Sequence, residues 1–132
     1  MREIQVQTER KTQLVNITEQ VRDSLEGGGG ASAVLVYVPH TTAGVVINEK
    51  IDPDLLEDFE EAFRKLVAEE WTWRHVDADG PNAPSHVRAS LASPQVLIPL
   101  QDGELALGTY QGIFFCEFDG PRTRKAYVAT LS

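Results

Sequence analysis

The chain has 132 residues, of which 42% are hydrophobic and 24% charged, so it suits one globular domain and is too apolar for general disorder. Its net charge of −8 argues against general nucleic-acid binding. The one cysteine excludes an intrachain disulfide framework. The first residues lack an apolar signal core, and no apolar run approaches the ~18 residues of a membrane span. We therefore expect a single cytoplasmic domain over residues 1–132, with no nucleic-acid or membrane partner.

The first part of the chain predicts two strands and a short helix. Residues 3–7 alternate between polar and apolar side chains, which is typical of a half-buried strand. Thr18 is a candidate N-cap for a short helix that stops at the glycines of residues 27–30. The β-branched run over residues 33–38 ends at Pro39 and predicts a strand buried on both faces.

The clearest predicted element is a helix that begins at Asp52-Pro53, with Asp as N-cap and Pro at the first helical position. Apolar residues follow at helical spacing: Leu55, Leu56, Phe59, Phe63, Leu66 and Val67. On the opposite face we expect i, i+4 ion pairs from Glu60 to Arg64 and from Glu61 to Lys65. Residues 52–70 carry eight acidic and two basic side chains, so most of the chain's negative charge lies on this one solvated element.

The rest of the chain predicts a shorter helix near residues 84–91 and three strands, at residues 95–100, 112–118 and 125–131. Asp102-Gly103 is typical of a hairpin turn between the first two of these strands. Strands at both ends with helices between them predict an α+β fold. We expect mostly antiparallel sheets in a sandwich-like arrangement with two to three helices.

All three histidines lie in polar, turn-rich segments. His40 follows a predicted strand, while His75 and His86 flank the loop at residues 76–85. Three neutral imidazoles and a water would suit a catalytic zinc. A shared site would also use neighbouring polar residues, namely Asn48, Glu49, Asp77, Asp79 and Asn82. No HxH or HExxH pair fixes two ligands on one element, so the alternative is that each histidine is a surface or capping residue.

Glu117 lies inside an apolar strand, where an isolated carboxylate is costly to bury. It is therefore either an edge or interface charge or a carboxylate that faces the histidine site. Cys116 points to the opposite face of that strand and is expected to be a small core residue rather than a nucleophile. Arg122 and Arg124 follow a turn and would share one strand face if the strand begins there. Two adjacent guanidinium groups suit a phosphate or carboxylate, or they neutralise acids on a neighbouring chain.

Taken in order, these segments resemble the YjbQ family, also called the secondary thiamine-phosphate synthase enzyme family. The resemblance rests on residues 39–43 (PHTTA), on Asn48-Glu49, on His75, on residues 82–86 (NAPSH), on residues 107–112 (LGTYQG) and on residues 117–122 (EFDGPR). It covers nearly the whole chain. One departure is Tyr110, where the family usually has Trp, and this change predicts an altered pocket preference.

The resemblance implies a homotrimer whose histidine-rich site lies near subunit boundaries. It assigns the metal, most often zinc, to His40, His75 and His86. It further implies catalytic roles for polar motif residues and substrate binding by others. The catalytic set is Asn48, Glu49, Asn82 and Glu117, and the substrate-binding set is Thr41, Gln111 and Arg122. We add Arg124 to the substrate-binding set because of its place in the basic cluster after the turn; it does not match a motif position and is alternatively a structural residue.

The function expected from this resemblance is a weak or secondary thiamine-phosphate synthase activity on a small phosphorylated metabolite. In that reaction a thiazole phosphate displaces pyrophosphate from a pyrimidine pyrophosphate, and cations stabilise the leaving group. Pyrophosphate chemistry usually employs magnesium, whereas imidazoles favour zinc. Two alternatives stay open: a metal-assisted phosphoester or amide hydrolase with Glu49 or Glu117 as general base, and a non-catalytic trimeric binder of a small anion.

Overall fold

The computed structural model describes residues 1–25, 30–76 and 80–132, so the glycines of residues 27–29 and the residues Asp77 and Asp79 lie outside the described residues. Within those ranges the chain forms eight strands and three helices. In chain order they are β1 (Arg2–Gln7), β2 (Gln13–Asn16), α1 (Thr18–Ser24), β3 (Ala33–Tyr37), β4 (Ala43–Glu49), α2 (Pro53–Leu66), α3 (Ala83–Ala92), β5 (Gln95–Gln101), β6 (Glu104–Leu105), β7 (Gln111–Glu117) and β8 (Thr123–Leu131). None of the described helices is both long and apolar enough to span a bilayer.

The strands form two antiparallel sheets, which confirms the predicted α+β class. One sheet has the strand order β1-β8-β3-β5-β6, and the other has the order β2-β7-β4. Strands that are neighbours in a sheet are often distant in sequence, as β1 and β8 are. In the smaller sheet Ala43 pairs with Glu117 at one end of the β4–β7 ladder, and Glu49 pairs with Gln111 at the other.

The smaller sheet is the middle layer of the molecule and is buried on both faces. One face packs against the larger sheet, in a core that joins Val45 and Phe115 to Val34, Ile98 and Val128. The other face packs against α2 and α3, in a second cluster formed by Leu14, Leu56, Phe59, Phe63, Ala89, Ala92, Phe114, Cys116 and Phe118. Strand β7 therefore alternates its side chains between two apolar clusters.

Helix α2 begins as the sequence predicts. Asp52 is the N-cap, its side chain accepts a hydrogen bond from the backbone N–H of Asp54 over 2.9 Å, and Pro53 opens the helix. The Glu61–Lys65 pair is present at 3.7 Å. The Glu60–Arg64 pair was predicted wrongly, because Glu60 is 6% exposed and accepts hydrogen bonds from Arg10 and the Leu14 amide instead.

Several local predictions were wrong because distant strands determine them. Strand β3 is buried on one face only: Val34 and Val36 face the core, whereas Tyr37 is 40% exposed on the outer face of the larger sheet. Asp102-Gly103 does form a turn with both φ angles positive, but it joins β5 to the short strand β6. Thr18 is the first residue of α1 and its hydroxyl accepts from the Ile113 amide, so it does not cap the helix.

Candidate functional site

Three segments converge on one cavity of about 640 Å³. They are the loop that leads into β4, the N-terminus of α3 and the turn between β7 and β8. We call this the histidine–arginine cavity, after its most prominent polar residues. Its wall is formed by Tyr37, Val38, Pro39, His40, Thr41, Thr42, Asn82, His86, Pro94, Asp119, Arg122 and Arg124. The cavity brings together nine residues that the sequence predicts for the site or that lie in one of the quoted motifs: Pro39, His40, Thr41, Thr42, Asn82, His86, Asp119, Arg122 and Arg124.

Glu117 and Arg124 form a buried ion pair at the base of this region. Glu117 is fully buried and Arg124 is 6% exposed. Arg124 Nε donates to Glu117 Oε1 over 2.9 Å, Nη2 donates to Oε2, and Nη2 also donates to the Thr42 hydroxyl over 2.8 Å. The carboxylate further accepts from the Thr8 hydroxyl and from the Phe118 and Asp119 amides. The cost of burying Glu117 is therefore offset by pairing across the two sheets.

Arg122 lies in the turn before β8, which begins at Thr123, so it does not share a strand face with Arg124 as the sequence suggested. Its side chain is 40% exposed. Asp119 fixes it, because Arg122 Nε donates to the Asp119 carbonyl over 2.7 Å and Nη2 donates to Oδ2 over 2.9 Å. These bonds use two of the five N–H donors of a guanidinium, so others remain for a ligand.

Asn82 connects α3 to the same carboxylate. Its Nδ2 donates to Asp119 Oδ2 over 3.1 Å, which fixes the amide orientation because a carboxylate accepts only from the nitrogen. The other amide atom, Oδ1, is buried without a hydrogen-bond partner among the described residues. Ser85 anchors the same helix end through a hydrogen bond to the Phe118 carbonyl over 2.6 Å. Helix α3 is thereby held against the β7–β8 turn.

The sharp turn next to Glu117 depends on a glycine. A Cβ placed on Gly120 would lie 2.4 Å from the Arg10 carbonyl oxygen and 2.8 Å from both Thr8 Oγ1 and Glu117 Cγ. Any larger residue would displace the strand end that carries Glu117 or the loop that carries Thr8. Gly120 therefore sets the position of Asp119 and Arg122 at the cavity wall.

His40 is partly buried, with its ring against strand β8. The backbone N–H of Lys125 donates to His40 Nε2 over 3.1 Å. Burial lowers the pKa of His40 below the ordinary value of 6.5, and the nearby Arg124 guanidinium lowers it further. The ring is therefore neutral at neutral pH.

The other two histidines are in contact with each other. The ring centroids of His75 and His86 lie 5.1 Å apart in an edge-to-face arrangement. His86 also lines the histidine–arginine cavity and, together with His40, an adjoining cavity of about 380 Å³. His86 on α3 is thus the residue that connects the site of His40 to the loop of His75.

The zinc site implied by the family resemblance requires three free imidazole nitrogens. A metal binds the lone pair of an unprotonated nitrogen, and the Nε2 lone pair of His40 already accepts the Lys125 amide. No group of three or more His, Cys, Asp or Glu side chains in the described part of the chain is arranged to hold a metal ion. The three-histidine set does not fit zinc in this single chain, so we derive no chemical step through a metal.

Asn48, Glu49 and Gln111 lie at the opposite end of the smaller sheet. Glu49 pairs with Gln111 in the β4–β7 ladder, six residues along β4 from Ala43, which corresponds to about 20 Å of strand. Local bonds occupy these side chains: Gln111 accepts from the Gly108 amide and Glu49 from the Asp52 amide. Tyr110 next to them is 65% exposed. Their predicted roles at the histidine site stay predictions, since one chain does not bring the two ends together.

A larger cavity of about 900 Å³ lies between α2 and the β1–β2 loop, and ion pairs line it. Its most deeply buried member is Arg88, which is 1% exposed and donates to the Phe63 and Val67 carbonyls at the end of α2 and to Glu69. These contacts satisfy carbonyls that every helix C-terminus leaves free. Arg88 therefore stabilises α2, and its charge is used in folding.

Thr8 and Asp119 determine the geometry of the site, although neither was predicted from the sequence to have a role in it. Thr8 donates to Glu117 and accepts from the Arg122 amide, and nothing in the local sequence signals this contact across 109 residues. Asp119 does carry a signal, because it begins the Asp-Gly-Pro turn three residues before Arg122. An acid three residues before an arginine is a common ion-pair spacing.

Comparison with known proteins places this geometry in a family. Residues 2–132 match the family described as UPF0047 protein YjbQ-like. A UPF0047 protein of Archaeoglobus fulgidus is 43% identical, over 98% of this chain and 99% of the relative. YugU of Bacillus subtilis, also a UPF0047 protein, is 38% identical over 99% and 98%.

Solved structures agree with the fold. The crystal structure of an uncharacterized YjbQ/UPF0047 protein from Clostridium acetobutylicum has a TM-score of 0.92 and 37% identity, covering 99% of this chain and 100% of that one. A hypothetical protein from Aeropyrum pernix K1 gives 0.90 and 38%, covering 99% and 97%. The descriptions of these relatives name a family and no reaction. The chain belongs to the YjbQ-like UPF0047 family.

Proposed function

We propose that the histidine–arginine cavity binds a small phosphorylated metabolite and that the chain is an enzyme acting on it. The observation that carries the proposal is Arg122, held by Asp119 at the wall of a cavity of about 640 Å³ with N–H donors left over. A planar guanidinium in a fixed position suits phosphate oxygens. Small-molecule sites commonly have volumes of about 300–1,000 Å³.

Within this proposal the reaction is the transfer implied by the family resemblance. A thiazole phosphate displaces pyrophosphate from a pyrimidine pyrophosphate, and negative charge develops on the leaving oxygens. Arg122 would stabilise that charge, which lowers the barrier only if the guanidinium is already in place. The buried Oδ1 of Asn82 supports a ligand that also carries a hydrogen-bond donor, because a buried acceptor left unpaired costs about 1–3 kcal/mol.

The assembly we propose is the homotrimer implied by the same resemblance. The outer face of the larger sheet supports an assembly, since it exposes apolar side chains of three strands: Tyr37 is 40% exposed, Leu97 61% and Leu131 43%. Assembly would also allow Asn48, Glu49 and Gln111 of one copy to approach the cavity of another. Sedimentation of the purified protein at micromolar concentration tests this, and a stable monomer would contradict it.

A second candidate is a binder of small anions without turnover. The carboxylates expected as general bases favour it over a hydrolase: Glu117 is saturated by hydrogen bonds, and Glu49 lies about 20 Å along β4 from the site. Neither carboxylate of a single chain is free to take a proton from water in the cavity.

The test is a panel of phosphorylated substrates, including the thiazole phosphate with the pyrimidine pyrophosphate, with release of phosphate and pyrophosphate as the readout. The protein is purified without an affinity tag, and its metal content is measured by elemental analysis. The enzyme proposal predicts turnover that Arg122→Ala abolishes. Binding with no turnover on any substrate would identify the non-catalytic binder, and absence of binding would reject both.

A further inference from the structure

A backbone hydrogen bond determines where the proton of His40 lies. The Lys125 amide is always a donor, and it points at Nε2 over 3.1 Å, so Nε2 is the accepting, unprotonated nitrogen. A neutral imidazole carries one proton, which therefore lies on Nδ1. Rotating the ring by half a turn would place a carbon opposite the amide and lose the bond, so the ring orientation is fixed by its donor.

The surroundings of the ring keep it in this neutral form and beside the site. A second proton on the ring would have to lie on Nε2, where it would face the Lys125 N–H donor, so this hydrogen bond favours the neutral ring. The ring lines both the histidine–arginine cavity and the adjoining cavity of about 380 Å³. With Nε2 committed to strand β8, Nδ1–H is the polar group that the ring has left for a ligand.

We propose that His40 acts in this cavity as an Nδ1–H hydrogen-bond donor to an oxygen of an anionic ligand, and not as a metal ligand. Coordination through Nε2 would displace the Lys125 amide from its acceptor. Coordination through Nδ1 would move the proton to Nε2, where it would face another N–H donor. Either arrangement leaves this partly buried donor of β8 unpaired, which costs free energy. The choice of an anionic ligand rests on the proposed function, whereas the position of the proton does not.

Long-range ¹H–¹⁵N correlation spectra of ¹⁵N-labelled protein test the proton position directly. Protonated and unprotonated imidazole nitrogens differ widely in chemical shift, and the chain has only three histidines to assign. The variants His75→Gln and His86→Gln identify the remaining ring. At about pH 7.5, well above the lowered pKa, we expect the Nδ1–H tautomer for His40, with shifts that do not change when one equivalent of zinc chloride is added. An Nε2–H tautomer, or zinc-dependent shifts at His40, would overturn the proposal.

Phosphate titration tests the donor role. Inorganic phosphate should move the His40 Nδ1 resonance while leaving Nε2 unprotonated. Gln offers both an acceptor for the Lys125 amide and an N–H donor, whereas Phe offers neither. We therefore expect His40→Gln to keep phosphate affinity within about threefold and His40→Phe to lose about three- to tenfold, in line with one neutral hydrogen bond.

Two results separate this proposal from the proposed function. If phosphate binds and Arg122→Gln weakens it, but His40→Phe and the Nδ1 resonance are unaffected, the anion site stands and the donor role of His40 is wrong. If wild-type protein binds no phosphate at millimolar concentration and neither residue responds, the anion site itself is wrong and the donor role fails with it. The tautomer spectrum then still decides whether His40 is available to a metal.

Discussion

Replacing Glu117 by Gln removes the negative charge of the buried pair that joins the two sheets. The carboxylate accepts from Arg124, from the Thr8 hydroxyl at 2.7 Å, and from the Phe118 and Asp119 amides at 3.1 and 3.0 Å. Gln has the same shape but replaces one accepting oxygen by an NH₂ group. That group would face N–H donors from Arg124 or from the backbone, and the guanidinium would stay buried without a counter-charge.

The size of the effect follows from burial. Breaking a buried ion pair by removing one partner costs about 3–5 kcal/mol, because the other charge is left uncompensated. A chain of 132 residues has an unfolding entropy of about 0.28 kcal/mol/K, at about 2.1 cal/mol/K per residue. The melting temperature should therefore fall by about 11–18 °C. That loss is a large part of the roughly 5–15 kcal/mol that stabilises a typical domain.

Differential scanning calorimetry of Glu117→Gln measures this shift. The matched control is Glu3→Gln, since Glu3 pairs with Lys125 at 3.9 Å but its side chain is 58% exposed, and it should cost less than about 2 °C. The double variant Glu117→Leu with Arg124→Met removes both charges and should recover part of the loss. A shift below about 3 °C for Glu117→Gln would mean that no charged pair exists there, and the account of the site's base would be refuted.

Three further predictions concern neighbouring residues. The free energy of unfolding should fall as pH decreases from about 6.5, because the unfolded state binds a proton at His40 at a higher pH than the folded state does. Urea denaturation across this pH range measures the fall, which should be smaller in His40→Gln than in the wild type. Burial raises the pKa of the Cys116 thiol, so it should not react with Ellman's reagent until the protein unfolds, and fast reaction in native protein would contradict its burial. Gly120→Ala should destabilise strongly, whereas Gly103→Ala, in open space with positive φ, should cost only about 1 kcal/mol by chemical denaturation.

Local signals in the sequence predicted the elements whose cause is local. Asp52-Pro53 begins α2 because capping and a fixed φ act within one turn, and the apolar run of β7 is by itself typical of a buried strand. Strand β2 carries only four residues and was not predicted, since pairing with β7 rather than its own pattern makes it a strand. Glu60 was wrongly placed on the solvated face because its partners, Arg10 and the Leu14 amide, come from a distant segment of the chain.

The sequence indicated which residues lie at the candidate site better than it indicated how they are arranged. The histidines and Arg122 are in or next to turns, where polar residues at sheet ends meet, and this pattern is visible without a structure. The pairing of Glu117 with Arg124 depends on two strands from different sheets facing each other. Because the local sequence does not show this contact, Arg124 was expected to bind ligand. The separation of Glu49 from His40 follows from the extended length of β4, which turns a short sequence distance into a long spatial one.

The affinity of inorganic pyrophosphate for wild type and for Arg122 variants, measured by titration calorimetry, tests the central claim most directly. Arg22 provides the control, because it also pairs with an acid three residues before it and its side chain is 46% exposed, close to the 40% of Arg122. We predict that Arg122→Ala weakens binding by about ten- to hundredfold, that Arg122→Lys also weakens it because the planar fork is lost, and that Arg22→Ala has no effect. Equal affinity for wild type and both Arg122 variants would contradict the assignment of this cavity to an anionic ligand.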